Sequence, residues 1–361
     1  MTIATSTIAT LIPAYNEERQ IANVLRTIPD YVDHVVVVDD GSKDRTAEVV
    51  RECMRTDPRV HLIEMGRNQG CGAALAAAYK WSLANNVDIA VSIDADGQMD
   101  VDEMIHLVTP IVDGRADLTK ANRLASPKHW ANIPNVRLFG NAALSLITKM
   151  ASGYWSVADS QSGYVALSRY ALENIDWDDL YKSYGRPNDL LVRANVANCR
   201  VADVPSRPIY GVGERSSMKI LKVVFTIALM LFRRFWWRLF HKYVLRDFHP
   251  LVFFYLLAAV TFVVDVALTV RLFTLWIADG QVPQITALAV AFMTITTLNA
   301  AFFAFWMDMQ VNESLNVRLT EYFAVRSAVS HAQVPALPAP AASVVDAAGS
   351  HQPGERPIHP R

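Results

Sequence analysis

The sequence predicts an α/β domain followed by a membrane-associated C-terminal part. Over residues 1–206, short β-branched runs alternate with apolar positions at helical spacing, the pattern of parallel strands joined by crossover helices. Those strand-like runs end in acids. Residues 250–307 are almost wholly apolar, so the 52% apolar composition is concentrated rather than spread.

The first expected strand is Ile8 to Ala14, and it leads into Tyr15-Asn16-Glu17-Glu18. Ile21, Val24, Leu25 and Ile28 recur at helical spacing after it. Four valines, Val35 to Val38, then run into Asp39-Asp40-Gly41-Ser42, and Asp44 opens a helix over Arg45 to Cys53. This β-α-β start suggests a nucleotide. No G-x-x-x-x-G-K-S/T is present, and Gly70-Cys71-Gly72 follows the third strand, Val60 to Ile63, rather than the first. A P-loop is excluded and a dinucleotide loop disfavoured.

The fourth strand, Ile89 to Ile93, ends in Asp94-Ala95-Asp96-Gly97-Gln98. Ligands bind outside the carboxyl ends of strands in open α/β sheets, and two carboxylates with an amide oxygen are hard donors suited to Mg²⁺ or Mn²⁺. The alternative is a solvated turn, since Asp and Gly favour turns. Acids at strand tips repel bare phosphate, so an anionic ligand there needs a cation between. Further strands are expected at Asp117 to Ala121, Val165 to Ser168 and Val201 to Val204, with helices over Val136 to Met150 and, capped by Asn188-Asp189, Leu190 to Ala197.

The net charge of −1 argues against nucleic acid as a partner. It hides a basic stretch: residues 207–246 hold nine Lys or Arg against one acid, Glu214. A basic collar beside apolar spans faces anionic lipid on the cytoplasmic side. Cys53, Cys71 and Cys199 have no C-x-x-C spacing, and Met1 to Leu11 lacks a signal-sequence pattern, so the first domain is expected in the cytoplasm.

Two spans are expected, Leu251 to Trp276 and Ile285 to Trp306, forming a hairpin whose outer ends are cytoplasmic. Asp265 within the first span is expected to face another helix, with Asn299 as the candidate partner. Between Ser216 and Arg246, Lys219, Lys222, Thr226 and Arg233 share one helical face, and Arg234, Arg238, His241 and Lys242 continue it. Helices lying in the headgroup layer are expected there, with Trp236, Trp237 and their aromatic neighbours at the interface. Residues 331–361 read as a disordered tail.

Five stretches in order carry a resemblance: Leu11-Ile12-Pro13-Ala14-Tyr15-Asn16-Glu17-Glu18, Val38-Asp39-Asp40-Gly41-Ser42-Lys43-Asp44, Asn68-Gln69-Gly70, Asp94-Ala95-Asp96-Gly97-Gln98 and Gly211-Val212-Gly213-Glu214-Arg215-Ser216. Together they resemble the motifs of family 2 inverting glycosyltransferases, in particular the dolichol-phosphate mannose synthase and bacterial polyprenyl-phosphate hexosyltransferase branch, over roughly residues 5–220. The processive synthases of that family carry Q-x-x-R-W. Here Phe235-Trp236-Trp237-Arg238 has no matching Gln, which disfavours polymerisation.

The resemblance implies a GT-A fold, a Rossmann-like mixed sheet, over residues 1–210, then amphipathic helices over 211–248, the hairpin over 249–310 and a cytoplasmic tail over 311–361. It implies transfer of a hexose from a GDP-mannose or UDP-glucose type donor to a polyprenyl or dolichyl phosphate, with inversion. Pro13, Tyr15, Glu17 and Asp40 would line the nucleotide pocket, and Asp94, Asp96 and Gln98 would surround a Mg²⁺ or Mn²⁺ ion. Arg123 and Arg137 would meet donor or lipid phosphates. Asp159 and Gln161 are candidates for sugar hydroxyls, and Arg207, Arg215, Lys219 and Lys222 for the acceptor phosphate or simple lipid-facing charge. Asp189 is a candidate base, a positioning group or a helix cap. A lipid-hydroxyl acceptor and a catalytically inactive membrane scaffold are the competing readings. A two-span hairpin is small for a lone anchor and leaves room for a homo-oligomer.

Overall fold

The computed structural model describes residues 2–124, 135–207 and 220–319. Its first half interleaves β1 (Ile8–Ala14), α1 (Ile21–Thr27), β2 (His34–Asp39), α2 (Thr46–Met54), β3 (Val60–Glu64), α3 (Cys71–Ala84), β4 (Ile89–Ser92), α4 (Met104–Val112) and β5 (Leu118–Asn122). After these come α5 (Asn135–Ser152), β6 (Val165–Ser168), α6 (Arg169–Asn174), α7 (Arg186–Val196), β7 (Val201–Pro205), α8 (Ile220–Phe240), α9 (Leu251–Asp279), α10 (Gln284–Val311) and β8 (Asn316–Val317).

The described strands form one mixed sheet in the order β3-β2-β1-β4-β6-β5-β7-β8. Only β6 runs against its neighbours, β4 and β5. β1, central and buried at every residue, is a continuous apolar run as a parallel strand covered on both faces should be. Its pairing with β4 ends at Leu11, so the missing N–H of Pro13 interrupts no ladder on that side. Helices α3, α6 and α7 cover one face, where Tyr79 lies 4.2 Å from Trp177 between ring centroids.

The expected strands are present to within a residue or two. The helix expected at Leu190 begins at Arg186 instead. Pro187 sits in its first turn, where a missing N–H is tolerated, so Asn188 and Asp189 lie inside the helix and cap nothing.

The glycines of Gly70-Cys71-Gly72 have a packing reason. A Cβ on Gly70 would fall 2.4 Å from Lys182 O, and one on Gly72 2.1 Å from Tyr181 O. The start of α3 therefore lies against the 181–182 backbone.

Three C-terminal expectations change. The tail does not begin at 311: Asn312 is fully buried and Asn316–Val317 pairs in parallel with β7. Asp265 accepts hydrogen bonds from Thr294 Oγ1 at 3.0 and 3.1 Å rather than from Asn299, and Thr297 bonds Thr261 at 2.9 Å nearby. The polar side of α8 is turned toward the protein, not toward headgroups. Arg238 is fully buried on Asp308 at 2.7 Å, Arg234 reaches Asp189 and Asp179, and Lys242 in the π-turn after α8 is buried too. The face left exposed is apolar, Phe225, Leu229, Phe232, Trp236 and Phe240. Residues 320–361 lie outside the described residues.

Candidate active site

At the tip of β1 the chain turns through Asn16, whose φ of +59° is tolerated by Asn better than by most side chains. The turn is stitched to the loop after β2. Asn16 N–H donates to Ser42 Oγ, Lys43 N–H to Asn16 Oδ1, Glu17 N–H to Thr46 Oγ1 and Glu18 N–H to Asp44 Oδ2. Against the opposing effect of burial, hydrogen bonds from Thr46 and Glu18 hold Asp44 below the usual carboxylate range. These bonds form a fixed rim, with Tyr15 40% exposed on it.

Asp40 is 2% exposed and accepts from Gln69 N–H at 2.7 Å and Gly70 N–H at 2.8 Å. Expected in the pocket lining, it is instead spent on backbone, fixing the loop that enters α3. Pro13, one residue before the strand ends, is buried within β1.

Asp94 and Asp96 follow β4. Asp94 Oδ1 lies 3.7 Å from Arg186 Nη2, and Gln98 N–H donates to Asp96 Oδ1 at 3.0 Å. The tips of β1 and β4 face each other closely enough to interact. Burial first, then the charges of Asp96, Asp44 and Asp94, push the Glu17 carboxyl above its usual range. Among the described residues no three His, Cys, Asp or Glu side chains converge on one point. The donor chemistry still fits a hard cation: Asp94, Asp96 and the Gln98 amide supply oxygen ligands and excess negative charge, leaving coordination positions for phosphate and water.

Arg123 and Asp159, expected to serve different substrate groups, form one ion pair at 2.7 Å. Although burial opposes it, Arg123 holds Asp159 below the usual range. Gln161 N–H also donates to Asp159, and the Gln161 amide bonds Ser160 Oγ.

Asp189 has no exposure. Its Oδ2 accepts from Tyr181 N–H at 2.8 Å and Arg193 Nε at 3.0 Å. Arg234 Nε lies 2.7 Å from Oδ1, an ion-pair contact without hydrogen-bond alignment. Enclosed by these partners, Asp189 acts as a clasp between α7, α8 and the 181 loop. Arg207 is exposed, and its N–H donates to Glu103. The Arg137 side chain, Arg215, Lys219 and the Lys222 side chain lie outside the described residues.

Two residues near the site were missed from sequence. Arg186 is 8% exposed, donates to Cys71 Sγ at 2.9 Å and stands between Asp94 and Gly163. A Cβ on Gly163 would fall 2.6 Å from its Nη2 and 3.3 Å from Asp94 Oδ2, so glycine keeps that gap open. Pro187 was the available signal, since a proline one residue later marks Arg186 as a helix start. Lys120, fully buried in β5, was announced by a charge inside an apolar strand run.

A glycosyl transferase family 2 model matches residues 10–176. The UDP-N-acetylglucosamine–dolichyl-phosphate N-acetylglucosaminyltransferase of Methanococcus voltae is 33% identical over 213 residues, 55% of this chain and 84% of that one. The polyprenol monophosphomannose synthase of Mycolicibacterium smegmatis is 31% identical over 227 residues, 60% of this chain and 84% of that one. Among solved structures, glucosyl-3-phosphoglycerate synthase from Mycobacterium tuberculosis superposes with a TM-score of 0.48 at 21% identity, covering 66% of this chain and 84% of that one. With strand-tip acids on a mixed sheet, and with relatives matched over most of their own length, this chain belongs to glycosyl transferase family 2.

Proposed function

We propose that this glycosyltransferase moves a hexose from a nucleotide sugar of the GDP-mannose or UDP-glucose type to a polyprenyl or dolichyl phosphate at a membrane surface, with inversion. The observation that carries this reading is the acidic cleft between β1 and β4, where Glu17, Asp94 and Asp96 accumulate negative charge unmatched by the protein. A diphosphate leaving group enters such a cleft only with a cation. Asp94, Asp96 and Gln98 would hold Mg²⁺ or Mn²⁺, which when bound supplies Lewis acidity toward the departing diphosphate.

In the reaction an acceptor phosphate oxygen bonds to the anomeric carbon as the bond from that carbon to the diphosphate oxygen breaks on the opposite face. No proton has to leave the attacking oxygen, because a phosphate monoester with a second pKa of about 6 is mostly a dianion at neutral pH. The state of Asp189 supports this acceptor. A lipid hydroxyl needs a free base, and the Asp189 carboxylate is enclosed by Tyr181 N–H, Arg193 and Arg234. The relatives' printed names, dolichyl phosphate and polyprenol monophosphate, support the same class.

Residues 1–210 with 311–319 would form the catalytic layer, on the cytoplasmic side of a cell membrane. Helices α9 and α10, 29 and 28 residues long and apolar enough to cross a bilayer, would anchor it, and the exposed Phe225 to Phe240 stripe would lie in the interface. Purified full-length protein should be incubated with GDP-mannose, UDP-glucose or UDP-N-acetylglucosamine and a short polyprenyl phosphate, and the glycolipid read by mass. Product on the phosphate supports the reading. Product on diacylglycerol or ceramide but not on the phosphate, or no glycolipid from any donor, sinks it.

A further inference from the structure

The segment Ala158–Gly163 carries Asp159 and Gln161, and both ends of it are held by one pair of neighbours on the sheet. Lys120 of β5 and Asp203 of β7 are register partners. Asp203 accepts Ala158 N–H at 2.6 Å, and the Lys120 ammonium donates to the Ser162 carbonyl. One residue further on, the Gly163 carbonyl accepts from Ser92 Oγ at 2.9 Å, beside Asp94 and Arg186. The loop's two anchors thus lie on adjacent strands, and its last residue touches the acid that begins the metal-binding stretch.

A buried lysine is an expensive way to fill a strand position, since an ammonium without water costs several kcal/mol unless it is paired. Burial pushes Lys120 down to about 8, opposed by the charges of Asp159 and Asp203. Burial pushes Asp203 up to about 6, opposed by the Ala158 N–H and Lys120. Arg123 and Arg186 add positive charge around the same spot. Methionine would pack this volume more cheaply, but it could not hold the Ser162 carbonyl.

We propose that Lys120 is a positioning residue for the glycosyl donor: with Asp203 it pins both ends of the Ala158–Gly163 loop, setting Asp159 and Gln161 at a fixed distance from Asp94. The proposal rests on the reading of Asp159 and Gln161 as sugar-binding groups. It assigns Lys120 no contact with substrate.

The test compares wild type, K120M and the charge-balanced double variant K120M/D203N, whose amide oxygen still accepts Ala158 N–H. K120M leaves two carboxylates buried without their cation and loses thermal stability; the double variant, with both charges gone, recovers it. Hydrogen exchange at the amides of residues 158–163 should then be about tenfold faster in the double variant, and the KM for nucleotide sugar about tenfold higher with the KM for polyprenyl phosphate unchanged. Wild-type exchange and wild-type donor KM in the stable double variant would overturn the proposal, as would an equal rise in both KM values. If wild type itself makes no glycolipid, the proposed function fails, while the exchange experiment still decides whether Lys120 pins the loop.

Discussion

The cleft between β1 and β4 and the junction between α7, α8 and α10 are both rich in charge, and they treat it oppositely. At the junction Arg238 meets Asp308 through two hydrogen bonds of 2.7 and 3.0 Å, and Tyr243 donates to the same carboxylate. Lys242 donates to Asn195 O, Asn195 Oδ1 and Asn312 Oδ1 at 2.8 to 2.9 Å. Charge there is consumed by structure. In the cleft Glu17, Asp94 and Asp96 repel one another. That repulsion is charge held for a ligand, so substitutions should cost function in the first region and stability in the second.

The largest effect should come from D94A/D96A. Loss of the ligands for a charge-neutralising cation removes several kcal/mol of transition-state stabilisation, about a 10³-fold fall in glycolipid formation. Thermal stability should hold or rise. A parallel loss of stability, read by the unfolding midpoint, would mean the cleft acids are structural and erase the contrast. EDTA should reproduce the activity loss, and Mg²⁺ or Mn²⁺ should reverse it.

At the junction R238M should destabilise by about 3–5 kcal/mol, because it leaves a buried carboxylate alone, and R238M/D308L should recover most of that. Recovery of activity alongside stability would sharpen the contrast further.

A smaller effect concerns Lys242, which burial and then Arg238 push down to about 7. The folded chain binds its proton less tightly than the unfolded one, so stability should climb between about pH 7 and the ordinary lysine pKa of about 10.4. K242M should flatten that climb; an unchanged slope would remove Lys242 from the account. The smallest effect should be at Glu17, whose raised pKa means its ionised form disfavours folding. E17Q should therefore stabilise at neutral pH, with the gain vanishing as pH falls through the carboxylate range where wild type is also protonated.

The legibility of the sequence divides along the same line. Strand tips announce themselves locally, since a β-branched run followed at once by Asp, Gly and an amide needs no distant partner to be read. That is why β1, β2 and β4 and their acids were visible. The polarity of α8 was visible as a pattern and misread in direction, because Arg238 finds Asp308 at a separation of 70 residues. Asp40 and Asp189 were legible as important acids but not as acids already bonded to Gln69 and Gly70, or to Arg193 and Tyr181. Short β8 has too few residues for any periodicity.

That short strand has a practical corollary. Since the polypeptide comes back from the greasy hairpin to lay Asn316–Val317 alongside β7, the hairpin is an insertion into the globular body and not an appendage. Cutting the gene at codon 250 to obtain a water-soluble enzyme would bare a sheet margin and leave the guanidinium of residue 238 facing nothing. A usable soluble version calls for excision of the two long helices with the flanks rejoined.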